Sequence, residues 1–184
     1  MEKTRIVFTG SGGQGVITAA IILAEAAVIY EGMEAVQSQS YGAAARGGAT
    51  RSDIIIDSHK IYYPGVIQPD ILISLTQTAY TNFARIIRPG GLLIVDPRFV
   101  RPAREADAYQ VSIPIYESVV EKLHKPIVFN IAVLGALFGV RELFNPENML
   151  KVIAQRVPAD FVALNQDAFN LGIELGKNYS ERVK

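Results

Sequence analysis

Gly10, Gly12 and Gly15 stand at the spacing G-x-G-x-x-G, directly after the β-prone run Ile6-Val7-Phe8-Thr9. Behind them Val16 to Tyr30 is rich in alanine and free of glycine and proline, so a helix opens where the loop ends. A glycine turn feeding a helix start exposes backbone N–H groups beside the positive end of the helix dipole, a chemistry suited to holding an anion. Ser11, Gly12, Gly13, Gln14 and Gly15 are the candidate contacts. A second glycine pair, Arg46-Gly47-Gly48, lies after the next strand, with Arg51 three residues beyond. A guanidinium facing a glycine nest clamps phosphate or carboxylate through charge-assisted hydrogen bonds. An arginine that ties a loop to helix carbonyls would look the same in sequence.

Two familiar ligands fit poorly. A dinucleotide fold wants an acidic residue closing the second strand, about 20 residues beyond the glycines. Glu34 begins that strand, and its end offers Gln37, Ser38 and Gln39. A phosphate-loop NTPase needs Lys and Ser/Thr after the last glycine, where this chain has Val16-Ile17. A tight βα turn without a ligand remains open.

Composition narrows the chemistry further. The 184 residues contain no cysteine, which excludes disulfides, thiolate metal sites, iron–sulfur ligation and a cysteine nucleophile on this chain. His59 and His124 are far apart, without a carboxylate cluster at ligand spacing, and are expected at the surface. A formal net charge of zero gives no field that recruits nucleic acid or an anionic membrane. With 49% hydrophobic residues, the chain suits a subunit that buries surface against partners. No apolar run approaches the ~18 residues of a membrane span, and the first residues do not read as a signal peptide. The expected compartment is the cytoplasm.

The elements needed to position the loop follow in order. Helix Val16–Tyr30 is apolar around most of its circumference, so it is expected to be covered on more than one side, and Gly32 stops it. A second strand over 34–39 leads to a long loop or helical turn through Gly48. Ala49 to Asp57 reads as a strand with Ile54 and Ile56 on one face and Ile55 on the other. Ile61-Tyr62-Tyr63 is expected to return as its hairpin partner. Asp70–Leu75 and Leu92–Val95 read as buried strands, with a helix over Thr78–Ile87 between them and a last strand at Gln110–Ile113. The final third reads as helices over Tyr116–His124, Ile131–Leu143 (capped by Asn130), Pro146–Val157, and a last one capped by Asp160. The expectation is an α/β fold: a single three-layer domain over 1–184, with a mostly parallel (mixed) sheet flanked by helices and a helical C-terminal third.

Gly10-Ser11-Gly12-Gly13-Gln14-Gly15-Val16, Tyr41-Gly42, Arg46-Gly47-Gly48 and Ile61-Tyr62-Tyr63-Pro64 together resemble the gamma subunit of 2-oxoacid:ferredoxin oxidoreductases. Asp70-Ile71-Leu72-Ile73, Asp96-Pro97 and Asn130 to Gly135 extend the likeness over nearly the whole chain. The run from Ser40 through Ser52 looks closest to the 2-oxoglutarate type; pyruvate and branched-chain or aryl 2-oxoacids are the alternatives, as is a stand-alone nucleotide-binding protein. Ala44 stands where the family often has a glutamate. The resemblance implies an enzyme subunit, inactive alone, in a complex that oxidatively decarboxylates a 2-oxoacid, passes electrons to ferredoxin and releases an acyl-CoA. It implies that thiamine diphosphate, magnesium and iron–sulfur clusters sit on partners, namely thiamine-binding alpha and beta chains and a ferredoxin-like delta chain. It leaves no catalytic residue and no metal ligand to nominate here. Coenzyme A is the implied ligand of Ser11, Gly12, Gly13, Gln14, Gly15, Arg46, Gly47 and Gly48.

Overall fold

Ile6, Val7 and Phe8 are fully buried in succession, which requires a strand covered on both faces. The computed structural model describes residues 3–41, 49–103 and 106–180 and places them in β1 (Thr4–Ser11). The other strands are β2 (Glu34–Tyr41), β3 (Ala49–Asp57), β4 (Ile71–Ser74), β5 (Gly91–Val95) and β6 (Ala108–Ser112). Their spatial order is β2-β3-β1-β4-β5-β6. β1, β4, β5 and β6 run parallel, while β3 is antiparallel to both β1 and β2.

The helices are α1 (Val16–Glu31), α2 (Gln77–Phe83), α3 (Ile115–Leu123), α4 (Phe129–Val140), α5 (Pro146–Arg156) and α6 (Val162–Lys177). Strand alternation sends Ile54 and Ile56 into the larger core, shared with α1, α3, α4, α5 and α6, and Ile55 into a smaller one beneath α2. The α/β architecture, the mixed sheet and the helical last third therefore stand as expected. α1 is covered by the sheet and by α4 and α5, which accounts for its all-round apolar sequence.

Several local expectations need correction. Ile61-Tyr62-Tyr63 forms no strand: β3 already has β1 on one edge and β2 on the other, so no edge is free for a hairpin partner. The antiparallel pairing exists, but with different strands. Ser40 and Tyr41 prolong β2, because β3 supplies a ladder partner as far as Thr50. The helix expected to reach Ile87 ends at Phe83 in a 3-10 turn over Ala84–Ile86. α4 starts at Phe129 and stops at Val140, putting Asn130 inside the first turn, and Asp160 sits in the 3-10 turn Ala159–Phe161 ahead of α6; neither side chain caps its helix. Arg46, Gly47 and Gly48 lie outside the described residues, as does Gly42.

Candidate functional site: a glycine cradle at the carboxyl end of the sheet

The first strand delivers its glycines to a crevice. α1 leaves β1 toward the larger core, whereas α2 leaves the adjacent parallel strand β4 toward the smaller one. Loops that part to opposite faces open a gap at the carboxyl ends of the strands, the usual ligand position in open α/β sheets. Its floor is stitched by buried hydroxyls: Thr9 Oγ1 lies 2.8 Å from Ser74 Oγ and donates to the Ile73 carbonyl at 2.9 Å. Ser11 pairs with Ala49 and Tyr41 with Thr50, so the described ends that bracket residues 42–48 reach this same edge of the sheet.

Within the loop, Gln14 turns inward. Its Oε1 accepts from the Ser11 backbone N–H at 2.8 Å and its Nε2 donates to the Leu75 carbonyl at 3.0 Å, pinning the cradle to the end of β4. What the loop presents outward is backbone. Gly13 and Gly15 have φ of +88° and +70°, a region that side-chain-bearing residues rarely adopt, and Gly15 is the N-cap of α1. The amides of Gly12, Gly13 and Gly15 bond no backbone carbonyl among the described residues. No acidic residue stands in the first turn of α1 or of α4, so the positive ends of both helices are uncompensated there.

The opposite wall comes from residues that sequence reasoning passed over. A cavity of about 460 Å³ runs from Gly13, Gln14 and Gly15 to Phe99, Tyr116, Phe129 and Asn130. The three aromatic rings meet edge to face, with centroids 5.1, 5.5 and 5.9 Å apart. Asn130 reaches over the loop to place Nδ2 3.5 Å from the Gly15 carbonyl, and a Cβ on Gly15 would sit 2.7 Å from that same nitrogen. The glycine at 15 thus serves both the turn and the approach of α4.

Asp96 holds the aromatic wall. Its buried carboxylate accepts backbone N–H bonds from Arg98 at 2.8 Å and Tyr116 at 2.7 Å, fixing the residues beside Phe99 and the start of α3. Burial pushes its pKa up, partly opposed by those N–H bonds. The signals for this wall in the sequence were the Asp96-Pro97 pair after a strand and Asn130 at the head of a helix; none pointed to the three aromatic rings. The aromatics come from three separate segments, and no spacing links them.

Arg51 is no anion clamp. Its guanidinium makes two bonds to Asp53, at 2.6 and 2.9 Å, and a third to the Val66 carbonyl at 2.5 Å. His59 and His124 are both exposed, as expected. No group of three or more His, Cys, Asp or Glu among the described residues could hold a metal ion. The arrangement can bind a ligand with an anionic part at the glycines and a flat or apolar part at the rings; among the described residues that line it, no nucleophile stands beside a base.

Comparisons with known proteins place the chain among its relatives. A family model described as pyruvate ferredoxin/flavodoxin oxidoreductase matches residues 5–175. The 2-oxoglutarate synthase subunit KorC of Methanocaldococcus jannaschii is 41% identical over 177 residues, 95% of each chain. KorC of Methanothermobacter thermautotrophicus is 37% identical over 179 residues, 94% of this chain and 95% of that one. Among solved structures, the gamma subunit of a keto/oxoacid ferredoxin oxidoreductase from Geobacter sulfurreducens superimposes with a TM-score of 0.85 at 38% identity, covering 95% of this chain and 99% of the other. A 2-oxoglutarate:ferredoxin oxidoreductase from Magnetococcus marinus, solved with 2-oxoglutarate, coenzyme A and succinyl-CoA bound, shares the fold at a TM-score of 0.86 and 22% identity. It covers 97% of this chain and 32% of that longer one.

Proposed function

This chain belongs to the pyruvate ferredoxin/flavodoxin oxidoreductase family, as a gamma subunit of the 2-oxoglutarate:ferredoxin type, and from that premise we propose that its glycine cradle holds coenzyme A for catalysis by partner subunits. The single observation that carries the reading is the pairing of unopposed helix N-termini and glycine amides with an aromatic wall across one cavity. Coenzyme A offers a pyrophosphate for the first and an adenine or an uncharged pantetheine arm for the second.

Under this reading the chain is inactive alone. Thiamine diphosphate, magnesium and iron–sulfur clusters would sit on the alpha, beta and ferredoxin-like delta chains, in keeping with a sequence that has no cysteine to ligate a cluster. Partner chains would decarboxylate 2-oxoglutarate and pass electrons to ferredoxin. This chain's residues would bind and orient the thiol carrier that leaves as succinyl-CoA. Arg46, Gly47 and Gly48 are proposed as the second half of the clamp, since the strand ends that bracket them meet the crevice edge.

Gly12→Asp tests the reading with little structural side effect. A Cβ at Gly12 meets nothing within 4 Å, and the residue has an ordinary φ, so the change adds charge and not strain. In the assembled complex, KM for coenzyme A should rise about tenfold or more through like-charge repulsion, with KM for 2-oxoglutarate unchanged and Gly12→Ala close to wild type. Arg46→Ala should move the same parameter in the same direction. Unaltered coenzyme A kinetics in Gly12→Asp would discard the proposal and leave the loop as a packing element between chains.

A further inference from the structure

The end of the sheet remote from the glycine loop carries a second feature. Around the amino ends of β1, β4 and β5, Lys3, Arg5 and Arg88 surround a cavity of about 480 Å³ walled by Tyr63 and Ile67. Asp70 is buried beneath them. Its Oδ1 lies 2.9 Å from Arg88 Nη1, and its Oδ2 accepts the Arg5 backbone N–H at 2.6 Å and lies 3.6 Å from Arg5 Nη1. One carboxylate therefore fixes two half-exposed guanidinium groups, and since Asp57 also interacts with Lys3, three cations face two carboxylates. The feature continues beyond Arg88 into a cavity of about 460 Å³ that adds Arg141 and Tyr109.

Beside these cations the chain exposes large side chains in close succession. Tyr62 is 87% exposed, Tyr63 64% and Ile67 78%. Their segment is irregular yet firmly held. Val66 is fixed by the Arg51 bond to its carbonyl at 2.5 Å and by its own N–H donating to Asp53 Oδ2 at 3.2 Å. The Tyr63 ring lies against Gly65, where a Cβ would come within 2.6 Å of it. Rigid, exposed aromatic and aliphatic groups next to arginines have the composition of an interface centre, and such patches are uncommon on monomeric proteins.

We propose that this face docks another subunit of the oxidoreductase complex, through a segment that places an acidic residue against Lys3, Arg5 and Arg88 and an apolar side chain against Tyr63 and Ile67. The occupant is assigned by charge. A second copy of this chain paired about a two-fold axis would set the cations against one another, whereas an acidic segment complements them. The proposal rests on the reading of the chain as a subunit of a hetero-oligomer. It also gives the molecule two ends with separate tasks: ligand at the carboxyl edge of the sheet, assembly at the amino edge.

The test is co-expression of the chain with the other subunits of its complex, purification through a tag on one of those, and release of the chain by a salt gradient. Ile67→Asp and Lys3→Glu alter exposed side chains and should lower the releasing salt concentration by about twofold or more. Ile29→Asp, another exposed aliphatic position, on α1, should leave it unchanged. Circular dichroism melting of each variant checks that the fold is intact. Wild-type retention in Ile67→Asp, or loss in Ile29→Asp alone, overturns the assignment of this face while leaving the subunit reading in place. Self-association of the isolated chain that Ile67→Asp abolishes would assign the face to a second copy and overturn the proposal as well. Failure of the unaltered chain to co-purify would remove the subunit reading itself, and the docking proposal with it.

Discussion

Replacing Gly135 by alanine should destabilise this protein although alanine is the better helix former. α4 and α6 cross with glycines against backbone: a Cβ at Gly135 would lie 2.0 Å from the Phe169 carbonyl oxygen and 3.0 Å from the Gly172 Cα. Ordinary contact begins near 3.4 Å, so the helices must part by about 1.4 Å at the crossing. No rotamer change relieves this, because the obstacle is main chain. Overpacking of a tight core costs about 1–3 kcal/mol, and a rigid backbone obstacle argues for the upper end. Against it stands a gain of about 1 kcal/mol from replacing glycine inside a helix. The net expectation is a loss of about 2 kcal/mol, or about 4–8 °C in Tm for a domain of this size. Thermal and urea unfolding of the isolated chain measure it, with Gly12→Ala as the control for a position where a Cβ meets nothing. Since α4 also carries Phe129 and Asn130 into the cavity, KM for coenzyme A in the complex should rise with the loss of stability. A Tm equal to or above that of the unaltered chain would refute the reasoning, because it would mean that the two backbones are not in contact.

Gln14→Leu should loosen the glycine cradle. It removes both the acceptor for the Ser11 N–H and the donor to the Leu75 carbonyl, a loss of about 1–3 kcal/mol that urea midpoints would register together with a higher KM for coenzyme A. Asp96 sets a pH dependence whose sign follows from burial. Its pKa is raised in the folded state above an ordinary value of 3.8, so the folded protein holds that proton more tightly than the unfolded chain. Its contribution is fully present below the unfolded value and is lost as pH rises through the folded one. Asp96→Asn should accordingly gain stability relative to the unaltered chain as pH rises from the ordinary 3.8 through the higher folded value. A relative loss over the same window would show that the two backbone N–H bonds outweigh desolvation.

Much of the architecture was legible in the order of residues. A β-prone run, glycines and an alanine-rich segment can hardly be read otherwise than as strand, turn and helix, and β1 and α1 lie where that reading puts them. The buried strands around Ile71–Ser74 and Gly91–Val95 declare themselves because a strand covered on both faces is apolar at every position. The absence of cysteine and the run of glycine motifs were likewise sequence facts, and the family likeness they supported agrees with relatives matched over nearly the full chain.

Tertiary structure alone decided the pairings. β3 has two edges, and its own sequence does not say which strands fill them. Once β1 and β2 did, Ile61 was left to pack against the smaller core and Tyr62 and Tyr63 to stand out from the sheet. Cap residues failed at Asn130 and Asp160 because short 3-10 turns moved the helix starts, and Asn130 was instead directed at Gly15, 115 residues away in the chain. Gln14 reads as a ligand contact in the motif; its amide also bonds the Ser11 N–H of its own loop and the Leu75 carbonyl, which only the neighbouring strand brings within reach. The aromatic wall lay beyond any local pattern, since Phe99, Tyr116 and Phe129 meet only after β5, α3 and α4 have packed. Local sequence specified which segments would be strand, turn or helix, because backbone preference and periodicity are short-range. The partners of each side chain, and with them the shape of the site, depended on contacts between distant residues that only the folded chain makes.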